Sequence, residues 1–161
     1  MMNELYTQED VKNLSARIWK YAAICIGVIV IALGVGITTC FFVTDENANL
    51  LQTINIVLSS LCACVALYFL LNEIMPKRAK KAYVEKMLNS TAKMVRGRVA
   101  DVGKKVTVVK YVSTYEVRLL DEEGKDWILY LDAEKQTKDL KGHIVEFKVV
   151  NNKIVGYGDA Q

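Results

Sequence analysis

YAAICIGVIVIALGVGITTCFFV, residues Tyr21–Val43, runs without a single charged side chain. At about 1.5 Å of rise per residue it makes a helix of roughly 34 Å, enough to cross a hydrocarbon core of about 30 Å. A second run, LLQTINIVLSSLCACVALYFLL (Leu50–Leu71), is nearly as long and more polar, with Gln52, Asn55, Ser59 and Ser60. Between Tyr21 and Asn72 the only charges are Asp45 and Glu46. Overall the chain has 24% charged residues and a net charge of +3, averages that conceal this division. A buried helix of a soluble protein seldom stays uncharged for so long, so the pattern predicts a hairpin of two transmembrane helices, 21–43 and 50–71. The first run is too long for a cleaved signal and ends in CFFV without small residues. Thr39 before Cys40 is a poor lipoprotein site, so the run is expected to be retained.

The flanking basic residues predict the orientation. Lys12, Arg17 and Lys20 precede the first span, and Lys77, Arg78, Lys80, Lys81 and Lys86 follow the second. The connection TDENAN (Thr44–Asn49) has none. Both termini are therefore expected in the cytosol, with a multi-pass chain in the plasma or inner membrane. The run IMPKRAKKAY (Ile74–Tyr83) is read as a membrane-edge segment, with Lys77, Arg78, Lys80 and Lys81 facing anionic lipid headgroups. From Lys77 to Arg96 there are seven basic residues against one acidic residue, Glu85.

Four segments follow: an amphipathic cytosolic lead-in over 1–20, the hairpin over 21–72, a basic stalk helix over 73–94 and a β domain over 95–161. In the lead-in, Thr7 and Asp10 outline a capping box and Val11, Leu14 and Ile18 recur at helical spacing. In the stalk, Pro76 is expected to kink the junction or to open a separate helix. Within the spans, Ala23, Gly27 and Gly34 form a small-residue face of the first helix, continued by Thr38. Gln52, Asn55, Ser59, Ala63 and Ala66 form a comparable stripe on the second. Small residues let helix backbones approach where lipid gives no hydrophobic drive, so these faces are candidates for helix packing, within one chain or between subunits.

Beyond Val95 the pattern turns to β. VRGRVADV and KKVTVVKYV are rich in β-branched residues, YEVRLL and HIVEFKVV alternate apolar with polar, and DWILYLD returns as the strand after the loop. DEEGK (Asp121–Lys125) reads as a hairpin loop, Ala133–Gly142 as a short helix, and Asn151-Asn152 as a tight turn before KIVGYG. Three strands, a short helix and two strands give the order of an OB-like five-stranded barrel.

No residue pattern supplies a catalytic set, a cofactor site or a metal site. His143 is the only histidine, and the four cysteines (Cys25, Cys40, Cys62, Cys64) all lie inside the spans. From Gly97 to Gln161 there are 11 basic and 11 acidic residues, which disfavours nucleic acid as a partner. In layout, a membrane segment followed by a short cytosolic barrel, the chain resembles the NfeD-like proteins that accompany membrane proteases and scaffolding proteins. That resemblance assigns no residue a role. The expected function is non-enzymatic: a membrane anchor holding an interaction or regulatory domain for a protein partner, or for further copies of the chain. The alternatives are a subunit of an oligomeric channel and a membrane-tethered nucleotide or oligonucleotide sensor.

Overall fold

A computed structural model describes residues 2–109, 111–135 and 140–159. The chain divides into two compact units, one of Asn13–Arg78 and one of Met1–Lys12 with Ala79–Gln161.

Two helices long and apolar enough to cross a membrane dominate the first unit. Helix α1 spans Gln8–Phe42 and α2 spans Ala48–Phe69. Asn47 closes the turn between them: its side chain accepts from the Thr44 N–H at 2.7 Å and donates to the Phe42 carbonyl at 3.0 Å. A π-helical turn over Leu70–Ile74 joins α2 to α3, Met75–Asn89. This wide turn lies directly ahead of Pro76, where the missing N–H and the bulk of the ring would strain an ordinary α-helical turn. Helix α3 stops earlier than the sequence suggests. Met94, expected on the helix, lies in a strand.

Half-buried residues on α1 recur as Cys25, Val28, Ala32, Val35 and Thr39, and on α2 as Leu51, Asn55, Leu58, Cys62 and Val65. Steps of three and four alternate in both, the spacing of an antiparallel seam. Tyr21 and Phe69 stack across it at 5.8 Å, and the Asn55 amide donates to Thr39 Oγ1 at 2.6 Å. Replacing Asn55 with leucine is expected to cost about 1 kcal/mol of hairpin stability, in line with hydrogen bonds between membrane helices. Gln52→Leu, on an exposed face, should cost nothing measurable. An SDS titration of the purified chain distinguishes the two.

The second unit is a mixed six-stranded sheet with α3 and the N-terminal residues. Strand β1 is Asn3–Glu4, β2 Lys93–Val109, β3 Val112–Asp121, β4 Asp126–Asp132, β5 Ile144–Val150 and β6 Lys153–Asp159. Strands β2, β3 and β4 are antiparallel neighbours, and β5 pairs antiparallel with both β2 and β6. Strand β6 also pairs parallel with β4 and antiparallel with β1. The last five strands follow the order read from the sequence. Strand β1, in a segment read as a helical lead-in, was not expected. The short helix expected over Ala133–Gly142 falls largely on 136–139, outside the described residues; Ala133–Lys135 and Lys141–Gly142 form turns.

Long β2 serves two neighbours. Residues 93–98 pair with β5, and the strand from Gly97 onward pairs with β3, with register shifts between Val99 and Asp101 and between Val102 and Val106. Asn151 and Asn152 turn β5 into β6 with φ of 48° and 62°, the left-handed conformation that a two-residue hairpin demands. Phe147, Leu119, Leu129, Leu131 and Ile154 fill the interior, joined by Tyr83, Val84 and Met87 of α3 and by Leu5 and Tyr6. Fully burying one such aliphatic or aromatic side chain is worth about 1.5–3 kcal/mol.

Candidate functional site

Within the hairpin of one chain, most of the small residues read as packing faces lie outside the seam. Ala23, Gly27 and Gly34 are exposed on the outer side of α1, and an added Cβ at either glycine would meet nothing within 4 Å. Ser59 and Ala63 are exposed too, lining a shallow apolar groove of about 440 Å³ with Ala32, Gly36 and Cys62. Of the candidates, Asn55 and Ala66 sit in the seam. The helices meet at heptad-like spacing through a mixed set of small and branched side chains, and Ala23, Gly27, Gly34, Ser59 and Ala63 are left on the outside.

The basic run is largely engaged within the protein. Lys77 pairs with Glu73 and lies 4.8 Å from the centre of the Tyr21 ring. Lys80 pairs with Glu134 at 2.6 Å, and Lys81 with Glu85 at 3.6 Å. Arg78 is exposed and has no ion pair among the described residues. Partly exposed pairs of this kind contribute little stability, so they also leave the lysines able to exchange partners.

One polar cluster was invisible to the sequence. Asp132 is almost wholly buried, and its Oδ2 accepts the Tyr6 hydroxyl at 3.0 Å while its Oδ1 accepts the Glu134 N–H at 2.9 Å. Tyr83 stands edge-on to Tyr6 at 6.0 Å. Burial, with the Asp132 carboxylate close by, pushes the Tyr6 hydroxyl far above its ordinary range, so it stays protonated as a donor. Burial raises Tyr83 as well. A closed, satisfied cluster of this kind fastens the N-terminal segment to β4.

The capping box at Thr7 forms as read. The Thr7 N–H donates to Asp10 Oδ2 at 3.0 Å, and the Asp10 N–H donates to Thr7 Oγ1 at 3.3 Å. Lys135 adds a bond to Asp10 Oδ1 at 2.9 Å. Burial raises the Asp10 carboxyl, but the bonds from Lys135 and Thr7 outweigh it and hold the group below its usual range. A carboxylate lowered in the folded state contributes stability above its unfolded value, about pH 3.9, and loses it as pH falls through the folded value. Asp10→Asn is therefore expected to loosen the N-terminal segment by about 1 kcal/mol at pH 7 and by much less at pH 3. Amide exchange over residues 3–12 at the two pH values would show it.

The acidic loop is a folded turn. Asp121 accepts the N–H groups of Glu123 and Lys125 and the Trp127 indole, and Glu122 pairs with Arg96 at 3.2 Å. His143 is exposed just ahead of β5. Cys25 lies in the seam with its thiol toward the Ala66 carbonyl, and no group of three or more metal-ligating side chains gathers among the described residues.

A second groove, of about 520 Å³, lies between α3 and the strand turns. Ala79, Ala82 and Lys86 form one wall, and Tyr111, Asn151 and Lys153 the other. Lys153 Nζ stands 4.4 Å from the centre of the Tyr83 ring. Tyr111 is held at φ 63° in the β2–β3 turn and is largely exposed.

No protein-family model, curated protein or solved structure matches the chain, so the NfeD-like layout stands without a matching family model.

Proposed function

We propose that the chain is a non-enzymatic integral membrane protein whose two-helix anchor holds a small OB-like domain in the cytosol to bind or regulate another membrane protein. The observation that carries this reading is the pairing of β1 with β6. Segments preceding the first span and following the second share one sheet, which supports both ends of the hairpin lying on one side of the bilayer. The lysine bias then favours the cytosolic side. The exposed apolar outer faces of α1 and α2, among them Ile26, Val30, Leu33, Leu61 and Leu67, suit a lipid environment.

Support for the OB-like reading comes from the pairing circuit β2–β3–β4–β6–β5–β2, five strands with one parallel contact between β4 and β6. The balanced charge of the domain and exposed sheet residues such as Ile128 and Ile144 suit a protein partner better than nucleic acid. The channel reading loses ground because Asn55 and Thr39 satisfy each other inside the hairpin, and Thr38 and Thr53 bond their own helices.

Photo-cross-linkers at Ile128 and Ile144 in native membranes should yield one discrete membrane-protein adduct; a smear, or none, would remove the partner-binding reading. A cysteine at Asp45 should react with impermeant maleimide from outside intact cells, and labelling only after lysis would reverse the topology.

A further inference from the structure

The β2–β3 hairpin carries a surface that neither the sheet nor the anchor uses. Val106 and Val108 point outward and are 43% and 65% exposed, and Tyr111 at the turn is 61% exposed. Each of the three is apolar or amphipathic, at the tip of a domain whose other large apolar side chains are mostly buried. The local charge is as unusual. No acidic residue occurs between Asp101 and Glu116, although the domain as a whole is balanced. Lys104 is exposed beside Val106, Lys86 lines the opposite wall of the groove from Tyr111, and Lys153 lines the same wall. That groove also contains Ala79 and Ala82, at the end of α3 that follows the second apolar run most closely in sequence.

Valine and tyrosine next to lysine suit the boundary between acyl chains and phosphates: the apolar parts enter, and the amines stay at headgroup level. Basic side chains near an anionic leaflet gain favourable energy within a Debye length of it. We propose that Val106, Val108 and Tyr111, with Lys104, Lys86 and Lys153, form a second membrane contact that docks on an anionic bilayer surface. This rests on the membrane reading above. The spans hold the domain close to lipid, so a contact too weak to recruit a free protein suffices to hold a tethered one.

The test uses the full chain with its four native cysteines replaced by alanine, in bilayers of phosphatidylcholine with or without 30% phosphatidylglycerol. Nitroxide labels are placed singly at Leu61→Cys, Val108→Cys and Ile144→Cys, and their access to oxygen and to a water-soluble nickel chelate gives depth. Expected is Leu61 in lipid in both bilayers, Val108 at headgroup depth only with phosphatidylglycerol, and Ile144 in water throughout. Lys86→Glu or Lys104→Glu should return Val108 toward water, lowering the docked-to-free ratio about fivefold or more each, and leave Leu61 unchanged. Val108 in water in both bilayers while Leu61 is in lipid would overturn the docking and leave the anchor standing. Equal depth in both compositions would overturn the anionic assignment. Leu61 in water would overturn the membrane reading itself.

Discussion

Gly97→Ala should destabilise the sheet unit by about 3 kcal/mol or more, lowering its melting temperature by roughly 12 °C or more. A Cβ at this position would lie 2.3 Å from the Leu120 carbonyl oxygen and 2.9 Å from the Asp121 Cα. Both are backbone atoms of β3, so no side chain can swing aside. Gly97 pairs with Asp121 of β3 and Val145 of β5, at the place where β2 passes from one neighbour to the other. Relief would require β3 to move off β2 and break hydrogen bonds on both sides of the contact. Gly124→Ala is the matched control: φ is +78° there, but the space is open, so only the cost of a left-handed alanine applies, about 1 kcal/mol. Melting followed by protease resistance of the purified chain separates the two. A Gly97→Ala protein that melts with the wild type would mean the strands do not cross this closely.

Phe147→Ala should cost about 3–5 kcal/mol, the range for emptying a buried aromatic site. Phe147 is wholly buried in β5, the strand that pairs with both β2 and β6, and its ring packs 6.5 Å from that of Tyr157. Backbone pairing on both sides keeps β5 from collapsing into the void, so the loss should fall toward the upper end. Phe147→Leu retains most of the volume and should cost about 1.5 kcal/mol. Phe41→Ala removes the same ring from an exposed site on α1 and should leave the melting of the sheet unit unchanged. Equal losses at Phe41 and Phe147 would be incompatible with this core.

Local patterns carried the reading of the chain where the physics is local. Absence of charge over a bilayer's length marks α1 and α2, alternation marks β3 and β5, a short apolar run after the Asp121–Lys125 loop marks β4, and Asn151-Asn152 marks its turn. The capping box at Thr7 and Asp10 spans three positions and is equally visible. Where partners are far apart, the sequence is silent. Strand β1 is two residues with no alternation to detect, and Tyr6 meets Asp132 from 126 positions away. The seam of the hairpin is hard to read for another reason. Small residues mark where a helix can be approached closely, but not that its neighbour does so; on α2 the seam follows Leu51, Leu58 and Val65, beside which Ser59 and Ala63 face outward. The lysines after the second apolar run are legible as charge, while their pairing with Glu73, Glu134 and Glu85 depends on the fold.

The β1–β6 pairing also sets an order of events during synthesis. Glu4 pairs with Gly156 across that edge, and its carboxylate accepts a bond from Lys148 of β5, 144 positions away. At about 5–20 residues per second, the N-terminal strand waits on the order of 7–30 s for its partner to be made. During that interval both apolar helices emerge and, on the proposed membrane reading, enter the bilayer, while Leu5 and Tyr6 remain uncovered. Only when β6 leaves the ribosome can the two ends join, turning a linear chain into a loop closed by non-covalent bonds. Assembly thus finishes with the strand made first, and a nascent chain stalled before Lys153 should hold its spans in place with its N-terminal segment still open to protease.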